Sequence, residues 1–253
     1  TGGAWMTGFG DNANGRYRVK VTQPTEFGPV IAIYEKNAEL GPSNPNYVGN
    51  SNIKDSEDDD STAYYLAMVT KLGSFNLYPL IGYSDNSASV LDQGSDGTQT
   101  FLAFLGTSAT FGDIGFEAEF NYFNIDADDT ALGETFQTYG LYGNGWWNIG
   151  AGKVGLLAAY GNWDNDGGTG FGFGEDFTPT VFGADWASIG TTARSEYRGV
   201  TLLQLYGSLA LSEELSLWGN GTYWMSNSDE QADGTDDFWK DADGYEIDLG
   251  LDW

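Results

Sequence analysis

Residues 114–124, IGFEAEFNYFN, decide the fold. Ile114, Phe116, Ala118, Phe120 and Tyr122 fall on one side, Gly115, Glu117, Glu119 and Asn121 on the other. A period of two with one apolar and one acidic side is the pattern of a β-strand. A soluble sandwich also alternates, but seldom repeats so aromatic a face down a whole chain. Here the pattern recurs with tight turns at one end of the strands and long acidic loops at the other, the asymmetry of a transmembrane β-barrel.

Working outward, residues 99–109 form the other arm of this hairpin, joined through Phe111, Gly112 and Asp113. Upstream, 62–71 and 75–84 pair over Leu72, Gly73 and Ser74, and 16–22 pairs with 29–36 over a turn at 23–28. Downstream, 134–149 and 154–163 pair over 150–153, 200–211 and 215–226 pair over Ser212, Glu213 and Glu214, and 245–253 ends the chain. Residues 1–9 are a weaker strand candidate, followed by a turn signal at 11–15. The expectation is an all-β, antiparallel up-and-down barrel in one domain over 1–253, with about twelve visible strands. Each is close to the ~9–11 residues that cross a bilayer at a tilt. The long connections are 37–61, 85–98, 126–133, 164–198 and 227–244. The sheet is expected to close, because an open edge in lipid leaves backbone groups unsatisfied.

Composition agrees with this once the alternation is recognised. The mean hydropathy of −0.35 averages a lipid-facing half with a polar half, so it does not argue against a barrel. No apolar run approaches the ~20 residues of a helical span. With no cysteine, no histidine and a net charge of −27, thiolate metal sites, c-type haem attachment and Ser-His hydrolysis have no support. Nucleic acid is an improbable partner, because the field has the wrong sign. No signal peptide is visible, so the sequence is read as a mature form or one whose beginning is missing.

The side that does not meet lipid supplies the candidate site. Outward placement is expected for Phe116, Ala118, Phe120, Leu203, Leu205, Leu209, Leu217, Ile247, Leu249 and Leu251; the reverse would put Glu119 and Asp248 into hydrocarbon. Arg16, Arg18 and Lys20 lie opposite Tyr17, Val19 and Val21, so these bases and Glu117, Glu119, Glu246 and Asp248 are the expected pore lining. Glu117 and Glu119 merely share a strand face and lack a nucleophile or histidine, so catalysis is not expected. Asp164-Asn165-Asp166-Gly167 and Asp241-Ala242-Asp243-Gly244 resemble the start of a calcium loop without its twelfth-position Glu. They suggest adventitious divalent-cation binding at most, and no cofactor is expected. Trp146-Trp147 and Tyr223-Trp224 read as an interfacial girdle, with sugar platforms as the other reading.

A family resemblance rests on two stretches. Residues 245–253 alternate Tyr245, Ile247, Leu249, Leu251 and Trp253 with Glu246, Asp248, Gly250 and Asp252, which resembles the C-terminal signal strand of bacterial outer-membrane proteins, with Trp in place of the usual Phe. RYRVKVTQPTEFGPVIAIYEK (16–36) and DADGYEIDLGLDW (241–253) resemble hairpin pieces of porin-like proteins from sulfate- and metal-reducing bacteria. That resemblance implies a Gram-negative outer-membrane porin, in contact with lipid and lipopolysaccharide, often a homotrimer. It also implies that strands are missing here at one or both ends. In such porins a long loop commonly narrows the lumen, which makes Glu175, Asp176, Asp185 and Arg194 constriction candidates. The expected function is passive diffusion of small polar solutes and ions with a mild cation preference. The alternatives are a non-conducting barrel, as a surface adhesin-like protein or the sheath of an electron conduit, and a soluble β-sandwich lectin.

Overall fold

The computed structural model describes residues 17–39, 60–86, 98–126, 135–165, 169–171, 199–229 and 240–253. The strands are β1 (Tyr17–Gln23), β2 (Val30–Glu39), β3 (Asp60–Met68), β4 (Thr70–Leu72), β5 (Phe75–Asn86), β6 (Thr98–Phe111), β7 (Ile114–Asp126), β8 (Phe136–Ile149), β9 (Gly152–Gly161), β10 (Trp163–Asp164), β11 (Thr169–Gly170), β12 (Val200–Ala210), β13 (Ser216–Ser226) and β14 (Asp243–Asp252). One antiparallel up-and-down sheet holds all but the small β10–β11 hairpin, with sequence neighbours side by side throughout. The fold is an all-β barrel of the outer-membrane type. β4 continues β3 past Val69, whose amide donates to Pro29 O at 3.1 Å, so eleven strands cross the sheet. The weak candidate at 1–9 lies outside the described residues.

The tight turns follow from glycine placement. Leu72 pairs with Phe75, Phe111 with Ile114 and Ile149 with Gly152, leaving two-residue loops. Each loop begins with a glycine at positive φ: Gly73 at 62°, Gly112 at 61° and Gly150 at 59°. Positive φ at the first loop residue and not at the second marks a type II′ turn, whose twist matches that of the strands. The turn at 24–29 is held by Thr25 Oγ1, which donates to Gly28 O at 2.6 Å. All tight turns fall at one end of the strands and the long connections at the other. β1 and β14 both run from the long-loop end to the tight-turn end. Among the described residues, neither has a partner on its outer side.

The strands run further than the alternation suggests, because the ladder continues through polar residues once both neighbours are present. β2 reaches Glu39 and β3 starts at Asp60, inside the expected loop 37–61; β14 starts at Asp243, inside the expected loop 227–244. The connection expected at 164–198 contains β11 near its start. There the side chain of Asn162 takes over from the ladder: its Oδ1 accepts from Tyr139 N at 2.6 Å and its Nδ2 donates to Gln137 O at 3.0 Å.

One face of the sheet is a continuous apolar surface. Leu66, Ile81, Leu105, Phe120, Leu141, Leu156, Leu203, Leu205, Leu209, Leu217, Ile247, Leu249 and Leu251 are all exposed on it, while Phe116 and Ala118 are half-buried. Exposed leucine in this number is a face built for hydrocarbon rather than water. The opposite face carries Glu119, which is 3% exposed, and Asn121, which is 1% exposed.

That inner face is less polar than the alternation implies. Ile31, Ala67, Leu80 and Leu102 form one buried cluster, and Tyr142, Leu157, Ala159, Phe171, Val200 and Leu202 form another. Phe123 packs against both. Its ring centroid lies 5.2 Å from that of Phe104 and 6.0 Å from that of Phe171. Curvature brings inward side chains from successive strands together, so these apolar ones meet one another rather than water.

Candidate lumen surface

Among the described residues, Arg18, Lys20, Glu117, Glu119, Glu246 and Asp248 share one side of the sheet, because register carries each from strand to strand. Arg18 stands opposite Glu35 and forms an ion pair with it. The carboxylate is buried and the guanidinium 40% exposed. Lys20 lies one pleat away on the same face and is exposed, while Arg16 lies outside the described residues. At least for Arg18, the base is tied to the wall by a carboxylate partner.

Glu117 anchors a polar network on β7 and β8. It accepts from Tyr142 Oη at 2.8 Å and from Asn144 Nδ2 at 3.2 Å. Asn144 Oδ1 in turn accepts from Tyr206 Oη at 2.8 Å. Glu119 accepts from Asn121 Nδ2 at 2.9 Å, while Asn121 Oδ1 is buried without a hydrogen-bond partner. Across the sheet, Gln204 Nε2 donates to Thr222 Oγ1 at 3.1 Å. On β14, Glu246 faces Thr222 and Asp248 faces Asn220, and Asp248 Oδ2 has no hydrogen-bond partner.

Several inner residues escape the sequence reading. Lys153 sits with Nζ 4.7 Å from the Trp146 ring centroid and 5.7 Å from that of Tyr206, a cation–π arrangement. Adjacent residues of a strand point to opposite faces, so the two aromatic pairs expected as girdle are split. Trp147 and Tyr223 are exposed on the outer face, but Trp146 and Trp224 point inward. The signal was available: Trp146 is an even number of residues from Asn144 and Tyr142, which register places beside Glu117 and Glu119.

In the two stretches that resemble the start of a calcium loop, Asp164 and Asp243 each hold a neighbouring strand, while Asp166 and Gly167 lie outside the described residues. Asp164 Oδ2 accepts from Gln137 N at 2.9 Å and Asp243 Oδ2 from Tyr223 Oη at 3.1 Å. Among the described residues no group of three acidic side chains could hold a metal ion. At the long-loop end Lys240 pairs with Asp229 at 2.6 Å, and that contact holds the Asp229 carboxyl below its ordinary range. The constriction candidates Glu175, Asp176, Asp185 and Arg194 lie outside the described residues. The start of their loop is described: Phe171 turns inward, is 5% exposed, and lies against Gly140, where a Cβ would collide with its ring.

No protein-family model and no curated protein matches the sequence. The fold matches 24 chains of solved structures. One is OmpT (in-vitro folded), an outer membrane protein of Vibrio cholerae, with a TM-score of 0.50 and 10% identity over 92% of this chain and 62% of that one. This chain therefore spans less than two thirds of the length of that protein. At such identity the likeness is one of fold, and the fold is that of an outer-membrane β-barrel.

Proposed function

We propose that the protein is a channel of a Gram-negative outer membrane, passing small polar solutes and ions by diffusion with a mild cation preference. The observation that carries this reading is the division of the sheet into an exposed leucine-rich face and an opposite face bearing Glu117, Glu119, Glu246, Asp248, Lys20 and Lys153. A barrel with water inside gives charges of both signs a place on that face. The surplus of acid, −27 over the chain, concentrates cations at the mouth and screens out with salt. On this reading the protein is not an enzyme, needs no cofactor, and touches lipid and lipopolysaccharide, with a homotrimer as its assembly. The buried inner clusters favour a second reading, a barrel filled by its own side chains and used as a scaffold. Conductance in a planar bilayer separates the two: steps that scale with bulk salt support the channel, and a protein that inserts without conducting rejects it.

A further inference from the structure

We propose that the outer face between β1 and β6 holds one zwitterionic phospholipid, with an acyl chain in a groove beneath Tyr34, Tyr64 and Tyr83 and its phosphate and primary ammonium above them, at Lys36 and Asp85. The inference goes beyond the channel reading and needs only that the leucine-rich face meets lipid. Register makes the groove. Ala32 stands between Val21 and Leu66, and Leu66 stands opposite Ile81. A methyl group among longer side chains leaves a dip. Two residues nearer the long loops, Tyr34, Tyr64 and Tyr83 stand side by side, and the first two rings pack with centroids 5.3 Å apart. The dip below them is a cavity of about 480 Å³ lined by residues of β1, β2, β3, β5 and β6, adjacent strands of the sheet. At ~4.8 Å from strand to strand it is about 19 Å long. Half the hydrocarbon thickness of a bilayer is about 15 Å, so the groove is long enough for an acyl chain of one leaflet.

The same register sets the headgroup end. Two residues beyond the tyrosines, toward the long loops, Lys36 pairs with Thr62 and Thr62 with Asp85. Residues two apart on a strand share a face, so all three lie on the outer side with the rings. Tyrosine suits such a boundary, with a ring for hydrocarbon and a hydroxyl for the wet side. Lys36 offers an ammonium to a phosphate, and Asp85 accepts from a primary ammonium, both as charge-assisted hydrogen bonds. The next outward positions across the sheet are Gln99 and Asp126. Acid therefore outnumbers base along this row, which disfavours a purely anionic headgroup. A second dip shows what the first has in addition. It lies at Gly221 under Tyr223 and Tyr245 and measures about 320 Å³. The pair beyond those rings is Met225 and Asp243, which offers a phosphate no base.

The test is native mass spectrometry of the full chain, folded into bilayers holding equal amounts of phosphatidylethanolamine, phosphatidylcholine, phosphatidylglycerol and lipid A and then released into detergent. Retained lipid is identified by its mass. The parent should keep phosphatidylethanolamine at least fivefold over each of the others. Ala32→Leu, which fills the dip, should lower that retention at least fivefold, while Gly221→Leu at the second dip should leave it unchanged. Asp85→Asn should bring phosphatidylglycerol within twofold of phosphatidylethanolamine, and Lys36→Gln should weaken both; heat-modifiable gel mobility shows that each variant is folded. Parity of any other lipid with phosphatidylethanolamine in the parent, or a folded Ala32→Leu that keeps the lipid, overturns the inference. Lipid preference in a barrel that does not conduct would leave this site standing and remove the channel. Conduction without lipid preference would do the reverse.

Discussion

Arg18 and Glu35 show how little room the inner wall leaves for an isolated charge. Glu35 is 2% exposed, and removing the base beside a buried carboxylate takes away part of what stabilises its charge. Arg18→Gln should therefore lower stability by about 1–3 kcal/mol, at the low end of such losses because the arginine is half in water. Glu35→Gln combined with Arg18→Gln should recover part of it; denaturant unfolding in lipid vesicles reads both. Asp229 gives a residue-scale pH effect outside the sheet. Its folded-state pKa is depressed by the hydrogen bond and charge of Lys240, so the stabilisation it provides is complete above the unfolded carboxylate value, about 4. It is lost as pH falls through the lower folded value. Hydrogen exchange around Asn227 and Ser228 should rise below about pH 4 in the parent and show no such rise in Lys240→Gln. The sequence announced Arg18 and Lys20 as one face, but not that Glu35 is the partner of Arg18. That depends on the β1–β2 register, which alternation alone leaves open by steps of two.

Elements were more readily read than residues, because a hairpin needs only local information. Two-residue loops starting with glycine are written plainly at Gly73, Gly112 and Gly150. Gly112→Ala should cost about 1–2 kcal/mol, the penalty of an L side chain at positive φ. Gly143→Ala should be nearly neutral, since a Cβ there would meet nothing within 4 Å. Urea midpoints for the two variants test the contrast. The β10–β11 hairpin was hidden for the opposite reason. Its pairing is short, and it is held by the side chains of Asn162 and Asp164 rather than by a run of alternating residues. It delivers Phe171 to the inner cluster, where truncation to alanine should cost about 3–5 kcal/mol, as for other buried aromatics. In a conducting barrel the same change should also raise single-channel conductance. Equal conductance in parent and variant would place Phe171 away from the narrow part of the path.

At the scale of the whole molecule, the barrel could be read from one strand, whereas the contents of its lumen could not. A lipid-facing side is chosen by a uniform solvent, so its leucines repeat with a period that any single strand displays. The inner side is chosen by whichever residues meet across the curve, and Leu102, Leu202 and Phe123 become neighbours of distant residues only once the sheet has bent. Selectivity is the property most sensitive to that arrangement. Among the described residues Arg18 is already tied to Glu35, while Lys20, Lys71 and Lys153 are further bases on the inner face, and the triple variant Lys20→Gln, Lys71→Gln, Lys153→Gln should shift reversal potentials in a KCl gradient further toward cation preference. An anion-selective parent would show that the acidic wall does not set the field. The common direction of β1 and β14 bears on assembly as well. A strand lying between them and antiparallel to both must run upward where they run downward, so an antiparallel seal takes an odd number of further crossings. Set beside each other in two copies inserted the same way up, β1 and β14 would be parallel neighbours. For the homotrimer proposed above, contacts through the leucine-covered flanks would be sought by crosslinking Leu203 or Leu249.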